Sequence, residues 1–183
     1  MLFDETVKWK ILTRFFQDPR REYYVKELSR ELRISPGSAS QVCASLEKEG
    51  VLRSEKKAKA LFYSLKNDEP FVRRLKSAWF IGRLMRFRDC WEDAAVQSFA
   101  LYGSMASGTF DSRSDIDVLA VSNSSGERLE KSMQRLKTEF GDKLALTVFT
   151  VAEWRELARK KDRFYIEVLA DHIVLSGSPL VVG

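Results

Sequence analysis

LYGSMASGTFDSRSDIDVLAV, residues 101–121, is the stretch on which the reading of this chain turns. Its apolar start ends at Tyr102, where Gly103-Ser104 opens a short helix. Ten residues separate Ser104 from Asp115, and Asp115-Ile116-Asp117 begins a second apolar strand. Gly103 has no Cβ, so its backbone can approach a ligand closely. Ser104, at a helix start, offers a hydroxyl and exposed N–H groups suited to a phosphate. Alternation along a strand points Asp115 and Asp117 to one face and Ile116 to the other. Two carboxylates that close repel unless a cation lies between them, and Mg²⁺ takes one or two carboxylates together with substrate phosphates and water. The segment reads as a site for metal-assisted chemistry at a phosphate.

Gly-Ser, a spacer and Asp-x-Asp between apolar strands resembles the signature of the DNA polymerase beta-type nucleotidyltransferase superfamily. It is most similar to the small stand-alone members, the minimal nucleotidyltransferases of bacteria and archaea. The similarity runs on through SDIDVLAV, TVFTVAEW and YIEVLADHIVLSG, over about residues 94–177. The resemblance implies an α+β domain with a mixed sheet flanked by helices. It also implies Mg²⁺ as cofactor and an NTP as substrate or ligand. Gly103 and Ser104 would bind the nucleotide phosphates, and Asp115 and Asp117 would be the catalytic, metal-binding acids. The third carboxylate of the family falls here on Thr147, with Ala145 and Phe149 as same-face neighbours. Thr147 cannot ionise, so activation of the acceptor hydroxyl would suffer most, and Thr147→Asp is expected to raise turnover. Where many minimal members carry a basic residue, Ser107 stands, with Arg113 as the nearest substitute.

Working outward, residues 89–183 carry 11 Lys+Arg and 15 Asp+Glu, whereas residues 1–88 carry 20 Lys+Arg and 11 Asp+Glu. A basic half joined to an acidic half points to a polyanion-binding module attached to something else. Within the basic half, Asp4 to Gln17 has Val7, Ile11, Leu12 and Phe15 at helical spacing, and Val25 to Leu32 reads as a short helix. Ser35-Pro36 starts a third helix running to Glu49, with Gly50 at its C-terminal end. VLRSEK and LFYSL then form a hairpin around Lys56, Lys57 and Lys59. The stretch from YYVKELSR to LFYSL resembles the winged helix-turn-helix of many bacterial and archaeal regulators, over about residues 5–66. Ser38, Ser40 and Gln41 on the third helix are small or polar enough for a major groove, and Lys56, Lys57 and Lys59 suit phosphates. Dimerisation or protein contact is the other use of such a module.

Asp68 to Trp91 is expected to be a long amphipathic linker helix whose Phe71, Leu75, Trp79, Phe80 and Leu84 need covering, within the chain or by a second copy. The expected domains are therefore 1–67, a linker at 68–93, and 94–183. The α/β-like half continues with strands from Val96, Ile116, Leu144 and His172, and helices over 127–140, 151–160 and 163–170.

The composition excludes other classes. Hydrophobic residues make up 44% and charged residues 31%, a globular mixture. No apolar run approaches the roughly 20 residues of a membrane span, and MLFDETVKWK lacks a signal peptide's apolar region. Cys43 and Cys90 make no disulfide framework or thiolate zinc site, so a cytoplasmic protein is expected. The one histidine, His172, excludes chemistry needing a histidine pair. The expected activity is transfer of NMP, foremost AMP, from an NTP to a hydroxyl of a small molecule or of a protein such as a toxin-like partner. The alternative is a DNA-binding regulator that holds nucleotide or assembles without turnover.

Overall fold

The computed structural model describes residues 6–58, 60–92, 96–123, 129 and 131–181, and the chain divides into two compact units, Met1–Gly82 and Arg83–Gly183. The division falls inside the segment expected to link the domains.

The first unit opens with α1 (Val7–Gln17), capped by the Thr6 hydroxyl, which accepts from the Trp9 N–H at 3.3 Å. β1 (Tyr23–Tyr24), α2 (Val25–Leu32), α3 (Pro36–Lys48), β2 (Leu52–Lys57) and β3 (Ala60–Leu65) follow. The expected order of helix, short helix, capped helix and hairpin is present. Ser35 Oγ accepts from the Ser38 N–H at 3.0 Å, and Pro36, which has no N–H to lose, starts α3. Gly50, at φ +78°, then turns the chain through a conformation that a Cβ disfavours. β1 pairs with β3, so the sheet runs β1-β3-β2, antiparallel throughout. Ile11, Phe15, Phe16, Leu28, Cys43 and Leu46 are fully buried between helices and sheet. Phe15 meets Tyr23 edge-on at 5.1 Å, the geometry that opposed ring quadrupoles favour.

α4 (Pro70–Leu84) is shorter than the expected helix. It starts at Pro70, and beyond Leu84 the chain tightens into a 3₁₀ segment, Met85–Cys90, in which Phe87 leaves helical geometry at φ −114°. Trp79, Phe80 and Leu84 are buried within the single chain, with Trp79 packed on Phe16 at 5.6 Å. Phe71 alone of the five remains largely exposed, at 62%.

The second unit contains β4 (Val96–Tyr102), α5 (Gly103–Ser107), β5 (Ile116–Ser122), α6 (Gln134–Phe140), β6 (Leu144–Phe149), α7 (Val151–Lys160), α8 (Arg163–Ala170) and β7 (His172–Gly177). Of the helix expected over 127–140, residues 127, 128 and 130 lie outside the described residues. The sheet order is β6-β5-β4-β7, with β5 and β6 parallel and the other neighbours antiparallel. This is the expected mixed sheet. A parallel pair needs a crossover, and α6 lies in it. On one face Ala100, Leu119 and Val121 pack with Trp154 of α7 and with Tyr165 and Val168 of α8. Thr150 and Glu153 form a reciprocal capping box that sets where α7 begins. On the other face Trp91 stacks on Phe99 at 4.6 Å.

Candidate active site

The site grows from the turn where β4 gives way to α5. Gly103 has φ +65°, a left-handed value, and its N–H donates to the Asp171 carbonyl at 3.1 Å. That N–H is spent on the fold. A Cβ at Gly103 would come within 2.8 Å of Asp117 Oδ2. The carboxylate of Asp117 therefore lies directly against the turn, and the absence of a side chain at 103 is what admits it. Ser104 follows in the first turn of α5. Its carbonyl accepts from the Gly108 and Thr109 N–H groups and from Ser107 Oγ, which closes the short helix tightly.

Asp115 is exposed just before β5, and Asp117 is half-buried within it. Burial first, and then the negative charge of Asp115, push the Asp117 carboxyl above its ordinary value. The pair is thus close enough to repel, and a divalent cation between them would relieve that repulsion. Among the described residues, no group of three or more His, Cys, Asp or Glu side chains is placed to hold a metal ion. The two acids fit one Mg²⁺ completed by phosphate oxygens and water, not a fully protein-held pair of ions.

The third strand corrects the expectation for Thr147. β5 and β6 pair from their first residues, Ile116 with Leu144, so Asp117 stands opposite Ala145 and Thr147 opposite Leu119. Thr147 shares the face but lies two residues further along. Its Oγ1 is 3.5 Å from the Tyr102 hydroxyl, at the outer limit of a hydrogen bond. Burial pushes the Tyr102 phenol up, the Thr147 contact opposes this, and the charge of Asp117 adds to the rise. Tyr102, immediately before Gly103, is a member of the site that motif reasoning passed over. Lys143 is another. Its ammonium donates to the Ser112 carbonyl and ties the spacer to the start of β6. No sequence signal marks that contact.

The remaining candidates separate cleanly. Ser107 holds Thr109 at 2.9 Å and supplies no charge. Arg113 is 81% exposed, and among the described residues its guanidinium meets Asp111 at 3.8 Å. His172 pairs with Tyr102 across the strands, and its Nδ1 lies 3.2 Å from the Leu169 carbonyl, as expected of a structural residue. Burial pushes the Cys43 thiol up to about 12, which rules it out as a nucleophile at neutral pH.

In the first unit Ser40 and Gln41 are exposed on α3, while the Ser38 hydroxyl is half-buried and hydrogen-bonded to Ser35 Oγ at 2.8 Å. Lys56 is exposed, but Lys57 is held by Glu22 and lies over the Phe62 ring at 5.8 Å. The hydrogen bond to Glu22 raises the Lys57 ammonium. Lys59 lies outside the described residues. Among the described residues no helix is long and apolar enough to cross a membrane.

Comparison with known proteins agrees with the geometry of the second unit. The family model described as the nucleotidyltransferase domain matches residues 84–175, just over half of the chain. A solved structure from Methanosarcina mazei Go1, described as a possible transcriptional regulator, is 14% identical, with a TM-score of 0.35 over 49% of this chain and 80% of that one. No curated protein matches.

Proposed function

Because the chain belongs to the nucleotidyltransferase domain family, we propose that its second unit binds an NTP with Mg²⁺ and passes the nucleoside monophosphate, foremost AMP, to a hydroxyl of a protein or small molecule. In such a transfer the acceptor oxygen bonds to the α-phosphorus as its hydroxyl proton passes to water, the bond to the bridging oxygen breaks, and pyrophosphate leaves. Bound Mg²⁺ would draw charge off the triphosphate. Asp115 and Asp117 would hold it, Ser104 would cradle phosphate, and the Gly103 turn would let the nucleotide approach. The packing of the Asp117 carboxylate against that turn is the observation that carries this reading. The first unit, in the same proposal, is a winged helix that places the enzyme on duplex DNA. A protein acceptor of the toxin kind and a second copy of the chain are its further proposed partners.

The test is incubation with labelled ATP, CTP, GTP or UTP, Mg²⁺ and cell extract, with Asp117→Ala as control. In titration calorimetry, Asp115→Ala and Asp117→Ala should each lower Mg²⁺-dependent NTP affinity by more than the roughly 10–100-fold lost with an outer-shell partner. Equal binding by both variants would place the nucleotide elsewhere.

A second reading is a regulator that holds nucleotide without turnover, and Ala145 opposite Asp117 favours it. An apolar methyl at that position gives the acceptor hydroxyl no base. Ala145→Asp should therefore create or raise transfer, since general-base assistance is worth about 10²–10⁴-fold. Thr147→Asp should not, because it sets a carboxylate opposite Leu119 and beside Tyr102. Rescue by the second substitution and not the first would overturn the assignment drawn from the strand register.

A further inference from the structure

We infer that the exposed face of α3 reads A·T base pairs in the major groove of duplex DNA, with Gln41 as the specificity-determining residue. This rests on the DNA-binding reading above and goes beyond it by naming the sequence class. Guanine is read by Arg or Lys and cytosine by a carboxylate, whereas adenine offers a donor and an acceptor that match a Gln amide, and thymine offers a methyl. The N-terminal part of a recognition helix is the part that meets base edges. On α3 that part presents Gly37, Ser40, Gln41 and Ala44, all exposed and all uncharged.

Beyond them, Lys48 is exposed but is the last residue of α3, at the end away from the part that meets base edges, and the other polar groups are engaged. Ser45 Oγ donates to Glu49 at 2.8 Å, Glu49 also holds Lys8 at 2.7 Å, and Glu47 accepts from both the backbone and the hydroxyl of Ser54. Neither carboxylate is free to choose cytosine. Within the N-terminal part, Gln41 is the long side chain able to make a bidentate contact, and Ala44, one turn from Ser40, supplies a methyl for thymine.

Two further features fit this occupant. Arg30, Arg33 and Lys56 are exposed on α2, on the turn after it and on β2, and offer charge for phosphates. Gly37 stands in the first turn of α3, directly after Pro36, and a Cβ built there meets nothing within 4 Å. The fold has no steric use for its missing side chain, whereas a backbone laid close against a groove does.

The experiment is selection from a random duplex library by the full chain, followed by anisotropy titrations at several salt concentrations. A·T pairs should be enriched. Gln41→Ala should lose roughly 5- to 100-fold on the selected duplex with an unchanged salt slope, and Gln41→Arg should move the preference at that position toward guanine. Replacing thymine by uracil should weaken the wild type but not Ala44→Gly. Gly37→Ala should melt no lower than the wild type and yet bind more weakly. Selection of G·C pairs, or binding with no preference, overturns the inference while leaving DNA binding intact. Absence of duplex binding even at low salt overturns the DNA reading itself.

Discussion

Gly103→Ala is expected to abolish nucleotidyl transfer and to weaken Mg²⁺-dependent NTP binding more than any other single-atom-scale change in the protein. Two effects combine. The left-handed φ of +65° costs a side-chain-bearing residue about 1–2 kcal/mol. The new Cβ would also stand 2.8 Å from Asp117 Oδ2, closer than unbonded carbon and oxygen tolerate, so the carboxylate must leave its place. Misplacing a reacting group by about 1 Å costs on the order of 100-fold in rate. Gly50→Ala is the matched control. Its φ is +78°, left-handed like that of Gly103, but a Cβ there meets nothing within 4 Å. Thermal melting should show both variants destabilised, and calorimetry should show nucleotide binding lost in the first alone. Binding retained by Gly103→Ala would mean that Asp117 is not held against the turn in the working protein.

Gly177→Ala is expected to be the most damaging substitution for the second unit. Here the obstacle is main chain. A Cβ would overlap the Gln97 carbonyl oxygen, lie 2.7 Å from its carbon, and approach Ser98 Cα at 3.1 Å. The φ of +87° adds strain. The neighbouring bonds hold the strands together at that point, with the Ser178 N–H donating to Gln97 at 2.8 Å and Ser98 Oγ to Ser178 at 2.7 Å. Nothing there is a flexible side-chain end that could swing aside. Strain of about 1–2 kcal/mol and overpacking of about 1–3 kcal/mol together predict a loss of about 2–5 kcal/mol. Hydrogen exchange should show the amides of β4 and β7 losing protection while those of α1 to α3 keep theirs. Unchanged protection in β4 would show that the strand edge yields and the clash is relieved.

Much of this architecture is legible in the residues because it is locally encoded. Ser35 before Pro36, and Thr150 three residues before Glu153, mark helix starts through the bonds they make. The apolar runs at Val96 and Ile116 mark strands through their burial. Strand register is another matter. Sliding β6 by two residues along β5 leaves every side chain on the same face, so alternation alone does not separate Ala145 from Thr147 as the neighbour of Asp117. That choice is made by the pairing of Ile116 with Leu144, across the whole crossover.

Charges mislead for the same reason. Lys57 reads as a free cation in the sequence, whereas Glu22, thirty-five positions earlier, pairs with it in the folded chain. Lys76 looks like one more solvated cation on a basic helix, but it is fully buried, with its ammonium donating to Asn67 Oδ1 at 2.8 Å. β1 is only two residues long and exists because β3 is there to pair with, which no pattern within Tyr23-Tyr24 announces.

The pairing of Ala145 with Asp117 also has a meaning for descent. Alanine and aspartate codons differ at the middle base alone when the last base is a pyrimidine. A gene line carrying such a codon could gain or lose an acid at this point of the sheet by one mutation, with no insertion, no shift of the strands and no change elsewhere in the site. Catalyst and nucleotide holder would then be adjacent steps for selection, and sister genes could stand on either side of that step while keeping the same fold.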